Sequence, residues 1–169
     1  MTILAVFPGQ GSQMIGMGNE ISKNFQSAKL VFDEVDDALN FKLSKIMKEG
    51  NEPDLRLTKN AQPALMATGI AVVKVIEELS GIALWKIISH SAGHSLGEYT
   101  ALLSAGSISI SDAAESLLLF FNCSKSRFNS TSLSLESARA FPKNIKITNV
   151  YKSIFFICLK KLFCRIVHL

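Results

Sequence analysis

The stretch Ser89-His90-Ser91-Ala92-Gly93-His94-Ser95-Leu96-Gly97-Glu98-Tyr99 decides the fold. Gly93, Ser95 and Gly97 fit the spacing G-x-S-x-G, in which a serine sits on a sharp turn from a strand into a helix. Side chains two positions to either side of that serine would meet neighbouring backbone, so both positions are glycine. The turn presents the serine Oγ at a helix N-terminus. There the helix dipole and the free N–H groups favour the negative charge of a tetrahedral intermediate. The N–H of Leu96 is the natural first donor to such an oxyanion. A second reading is purely structural: Ser95 and Glu98 have the spacing of a capping box. Under either reading Leu96 to Ala105 is a helix, stopped by Gly106.

Upstream, Thr2 to Phe7 is a short apolar run closed by Pro8-Gly9 and reads as a buried strand. The loop Gly9-Gln10-Gly11-Ser12-Gln13 follows it, where α/β proteins bind ligands. Its glycines let backbone N–H groups approach a substrate closely, so it is a candidate second oxyanion donor; the plain alternative is an ordinary strand-to-helix turn. It has neither the Gly-Lys-Ser/Thr of a Walker loop nor the spacing of a dinucleotide fingerprint. Phe25, Ala28, Val31 or Phe32, Val35 and Leu39 recur at helical spacing, with Lys29, Asp33, Glu34, Asp36 and Asp37 assigned mostly to the wet side. Residues 48–60 read as a connection. Ala64 to Leu79 reads as a mostly buried helix, with Pro63 near its start and Gly81 just past its end. Ile82 to Ile88 reads as a second buried strand, and Asp112 as the opening of a further helix. Strands alternating with helices predict an α/β chain with a parallel sheet.

Composition excludes several classes. Apolar residues make up 48% and charged residues 19% of the 169, so a packed core is expected. Cys123, Cys158 and Cys164 are odd in number and lack metal-ligand spacing, so neither a disulfide framework nor a metal site is expected. No cofactor is implied. No basic region precedes the first apolar run, which gives no signal peptide and predicts a cytoplasmic protein. His94 is adjacent to Ser95 and points elsewhere on an extended turn, His90 lies in the approach, and His168 is penultimate. None of the three is a convincing base for Ser95.

Three segments together carry a resemblance: Phe7-Pro8-Gly9-Gln10-Gly11-Ser12-Gln13, then Gln62-Pro63-Ala64-Leu65, then Gly93-His94-Ser95-Leu96-Gly97-Glu98-Tyr99. In that order they resemble the N-terminal part of bacterial malonyl-CoA:acyl-carrier-protein transacylases, from Met1 to about Ala114. The resemblance implies malonyl transfer in fatty-acid biosynthesis. Ser95 would take the malonyl group from malonyl-CoA and pass it to acyl carrier protein, with the N–H groups of Gln10 and Leu96 as oxyanion hole. Gly9, Gly11, Gly93, His94 and Gly97 would support the motifs, His94 without acting as base. The implied fold is a truncated α/β-hydrolase-like core whose ferredoxin-like subdomain is missing.

The chain also departs from the family. Glu115-Ser116-Leu117-Leu118-Leu119-Phe120-Phe121 stands where the family has a Leu-Arg-Gly stretch whose arginine pairs with the malonyl carboxylate. The distal histidine base has no counterpart, and Ser91 replaces a usually apolar residue. Residues 1–115 hold 9 basic and 13 acidic residues, whereas residues 116–169 hold 9 basic residues and only Glu136. All ten glycines precede that break. Residues 1–115 are therefore assigned to the transferase domain and 116–169 to a divergent basic tail, out of frame or disordered. Its alternative is a genuine appendage for an anionic membrane or nucleic acid, with nucleic-acid binding not expected. A weakly active or inactive copy follows. The competing functions are a non-catalytic module binding thioester or acyl carrier protein, and a serine esterase.

Overall fold

In a computed structural model of the chain, residues 3–125 are described. The tail assigned to residues 116–169 lies outside them beyond Lys125. Two strands, β1 (Leu4–Phe7) and β2 (His90–Gly93), pair in parallel with Leu4 opposite His90 and Phe7 opposite Gly93. Among the described residues there are eight helices: α1 (Asn19–Asn24), α2 (Gln26–Leu39), α3 (Leu43–Glu49), α4 (Glu52–Arg56), α5 (Thr58–Ser80), α6 (Leu84–Ile87), α7 (Leu96–Ser104) and α8 (Ile110–Lys125).

The long helix α5 is the spine. Its Ala64, Leu65, Met66, Ala67, Ile70, Ala71 and Val73 are buried against α2, α7 and α8. Each large side chain among them contributes about 1.5–3 kcal/mol by leaving water. Helix α2 answers with Ala28, Val31, Phe32, Val35 and Leu39, the spacing expected of its apolar face. Gly69 allows a close approach of α5 to α7 and β1. A side chain there would stand 2.9 Å from Thr100 Cγ2 on α7 and 3.7 Å from Phe7 Cδ1 on β1.

The parallel sheet and the helices at 25–39 and 96–105 agree with expectation; five details differ. The strand within Thr2 to Phe7 is not a buried one, since Leu4 and Val6 alternate out to solvent on the side away from α7. Ile82 to Ile88 is not a strand. Leu84–Ile87 is a helical turn, and the second strand is the polar stretch His90–Gly93. That stretch is extended because β1 offers it a ladder, and Ser89 N donates to Ile3 O at 2.8 Å to begin it. Residues 48–60 are not a plain connection, since α4 lies within them, capped by Asn51 Oδ1 accepting from Asp54 N. The helix around Pro63 begins earlier than Ala64. Thr58–Gln62 form an extra turn ahead of it, held by Asn60 Nδ2 donating to Asp54 O at 2.8 Å. Asp36 is not on the wet side. Its buried carboxylate accepts from Ser44 N at 2.8 Å and Ser44 Oγ at 2.6 Å, capping the first turn of α3.

Candidate active site

Ser95 sits between β2 and α7 with φ 57° and ψ −118°. Positive φ costs a β-carbon-bearing residue about 1–3 kcal/mol and persists only where surrounding structure imposes it. Asn40, the other such non-glycine residue among those described, merely closes α2 in the left-handed region (φ 57°, ψ 26°), whereas Ser95 lies outside that region. Two contacts impose the turn. A β-carbon on Gly93 would run into the carbonyl of Gly97, and one on Gly97 into the carbonyl of Phe7. The two glycines thus let strand, turn and helix close on one another and on the end of β1.

The Ser95 side chain makes no capping hydrogen bond to α7, although it occupies the cap position. Ser95 is exposed, and its hydroxyl is free for other use. Glu98 shows the other arm of the capping-box spacing. Burial pushes its carboxyl above the ordinary value of 4.5, while the nearby His94 and the Ser95 backbone N–H pull it down. Only half of the capping-box reading therefore describes this turn.

The loop after β1 lies directly beside it. His94 N donates to Phe7 O at 3.3 Å, and a side chain on Gly9 would come within 2.8 Å of His94 Nδ1. His94 is exposed over this glycine. Gly11 adopts φ 131°, and its N–H donates to Gln13 Oε1 at 2.9 Å. Gln10 is exposed, and its Oε1 accepts a long 3.4 Å bond from Gln62 Nε2 on α5. Leu96 is the first residue of α7, and its backbone N–H stands at the helix N-terminus beside Ser95. Residues 7–13, Gln62 and 93–97, far apart in sequence, are thus one surface.

Behind the turn, Ser91 Oγ and Ser104 Oγ lie 2.9 Å apart, and both approach Ala101 O, at 3.3 and 2.8 Å. A polar strand residue is accommodated because α7 supplies hydrogen-bonding partners. Gln62 was legible as part of a motif without a role, since its bond to Gln10 spans 52 residues. Ser91 stood out in the sequence as a polar residue where the family is usually apolar, but nothing there marked Ser104 as its partner.

Residues 5–155 match the model of the acyl transferase domain. The chain belongs to this acyltransferase family. It is 51% identical over 111 residues to the malonyl CoA-acyl carrier protein transacylase of Bacillus subtilis, covering 66% of this chain and 33% of that protein. It is similar to the acyl-carrier-protein-S-malonyltransferase of Bartonella henselae, at 52% identity and a TM-score of 0.68 over 72% of this chain and 38% of that one. A malonyl-transacylase solved in complex with a type II PKS acyl-carrier protein is 38% identical, with a TM-score of 0.66 and the same coverages. The acyltransferase chain thus spans about a third of the length of the curated relatives it matches. No helix among its described residues is long and apolar enough to cross a membrane.

Proposed function

We propose that residues 1–115 are the N-terminal part of a malonyl-CoA:acyl-carrier-protein transacylase with an α/β-hydrolase-like core, and that Ser95 is its nucleophile. The observation that carries this reading is the Ser95 backbone, at φ 57° and ψ −118°, with a side chain that caps nothing. Strain at a serine whose hydroxyl is left free is what a presented nucleophile requires.

In the proposed reaction Ser95 Oγ attacks the thioester carbonyl of malonyl-CoA. The Oγ–C bond forms, the C–S bond breaks, and the serine proton ends on the departing coenzyme A thiol. The thiol of acyl carrier protein then attacks the seryl ester, takes the malonyl group and returns its proton to Ser95. The negative oxygen formed in each half-reaction is received by the N–H groups of Leu96, first in α7, and Gln10, in the loop tied to Gln62. Gly9, Gly11, Gly93, His94 and Gly97 shape the turn and the loop without exchanging protons. With Glu115-Ser116-Leu117-Leu118-Leu119-Phe120-Phe121 where the family has its Leu-Arg-Gly stretch, these residues are expected to be weakly active or inactive, because the arginine that would pair with the malonyl carboxylate is not in that stretch.

The test is intact-mass analysis after incubation with malonyl-CoA. A malonyl adduct that maps to Ser95 and is lost in Ser95→Ala supports the reading. Retention of malonyl-CoA without any adduct favours a binding module instead. Hydrolysis of a simple ester that Ser95→Ala abolishes, with malonyl-CoA untouched, favours an esterase.

A further inference from the structure

We infer that Glu98 is a positioning residue for Ser95: it holds both the N–H and the C=O of Ser95, and so leaves the Leu96 N–H as the uncommitted donor of the turn. This role deepens the acyl-transfer reading of Ser95 and rests on it.

The glycines beside Ser95 permit its backbone but do not hold it. Gly93 and Gly97 only take away side chains that would collide. A serine at φ 57° and ψ −118° persists where attractive contacts over-determine it. Glu98, in the first turn of α7, supplies two such contacts. Its backbone N–H donates to Ser95 O at 3.0 Å, and its carboxylate accepts from the Ser95 N–H. One residue thus grips Ser95 on both sides of its Cα.

The donors of the turn can be followed one by one, since each peptide N–H needs an acceptor in the protein, in water or in a ligand. His94 N donates to Phe7 O at 3.3 Å, and Gly97 N to His94 O at 3.0 Å. Glu98 N and Ser95 N are taken up by the exchange between those two residues. Leu96 N has no acceptor among the described residues. The Leu96 side chain is buried, so packing fixes the direction in which that N–H points.

An oxyanion is stabilised by donors already aimed at it, and a small misplacement is costly. With the Glu98 carboxylate removed, the Ser95 N–H becomes a second free donor, and one of the two links from the turn to α7 is gone. The role moves no proton and needs no contact with substrate. His94 is the ionisable neighbour that acts on the Glu98 charge; its attraction favours the carboxylate, and burial opposes it.

The experiment follows the backbone amide protons of the full, 15N-labelled chain by NMR from about pH 4 to 8. The Ser95 amide proton should move downfield as Glu98 loses its proton, several times further than that of Leu96. The movement should vanish in Glu98→Gln and persist in His94→Gln. A Ser95 amide that does not move, that follows His94 instead, or that moves less than Leu96 overturns the inference. A second measurement times the malonyl adduct on Ser95. Its rate should fall at least about tenfold in Glu98→Ala and recover in Glu98→Gln, which keeps the acceptor. Equal rates in the parent and Glu98→Ala, or a loss that Glu98→Gln does not repair, also overturn it. The titration of the parent chain needs neither a variant that folds nor an adduct that forms. A Ser95 amide that follows Glu98 in a chain that takes no malonyl group leaves the grip on the turn standing and removes the acyl-transfer reading.

Discussion

A side chain at Gly93 would occupy the position of the Gly97 carbonyl, so the last residue of β2 and the second residue of α7 are in backbone contact across Ser95. Gly97 has the same relation to the Phe7 carbonyl, which extends the contact to β1.

Gly93→Ala and Gly97→Ala should therefore each destabilise the chain by about 3 kcal/mol, the upper end of ordinary overpacking, because the obstacle is backbone and not a mobile side chain. Gly81→Ala is the control. Its φ of 66° carries a backbone cost of about 1–2 kcal/mol, but no atom lies near its missing side chain. Urea unfolding of the three variants should rank them in that order.

The Ser91 and Ser104 hydroxyls, 2.9 Å apart, brace the strand before the turn against the helix after it. Each single alanine variant should cost about 1 kcal/mol. The double variant should cost less than the sum, with a coupling of about 0.5–1 kcal/mol. Strict additivity in a double-mutant cycle would show that the two hydroxyls do not interact.

Glu98 gives the turn a pH dependence. Its folded carboxyl titrates above 4.5, mainly through burial, so the folded state holds this proton more tightly than the unfolded state. Its contribution to stability is present below the unfolded value and is lost as pH rises through the raised folded value. Glu98→Gln should then be more stable than the parent above that range and no more stable below it. Gln keeps an acceptor for the Ser95 N–H, so the comparison isolates the charge. Melting curves from pH 3 to about 8 follow the difference, which should shrink as the pH is lowered.

Asp36 should matter for the start of α3. Asp36→Ala leaves the Ser44 N–H and hydroxyl without their acceptor at the start of α3, at a cost of about 1–3 kcal/mol. Asp36→Asn retains an acceptor and should cost less. Thermal unfolding of the pair tests whether the carboxylate caps α3; equal losses would deny that role.

The amphipathic helix α2, the helix α7 and the strand β1 were legible because their side chains repeat at 3.6 or run as one apolar block. The G-x-S-x-G turn was legible because two glycines and a serine at fixed spacing answer to one backbone geometry. Strand β2 was not legible. His90-Ser91-Ala92-Gly93 has no apolar alternation, and the more apolar Leu84–Ile87 next to it became a helix. Strand propensity is mostly a fit to neighbours, and the neighbour here, β1, lies more than 80 residues away.

The sequence alone determined the helix periodicities and the turn at Ser95, because each depends on residues close together in the chain, and it determined the family, because three short motifs stand in a fixed order. Tertiary structure alone decided which face of Asp36 is dry, which polar stretch is the second strand, and that Gln62 reaches Gln10. It also decided that Leu4 and Val6 stand in the open. Burial and long-range pairing depend on what packs opposite a residue, and local spacing carries no record of that.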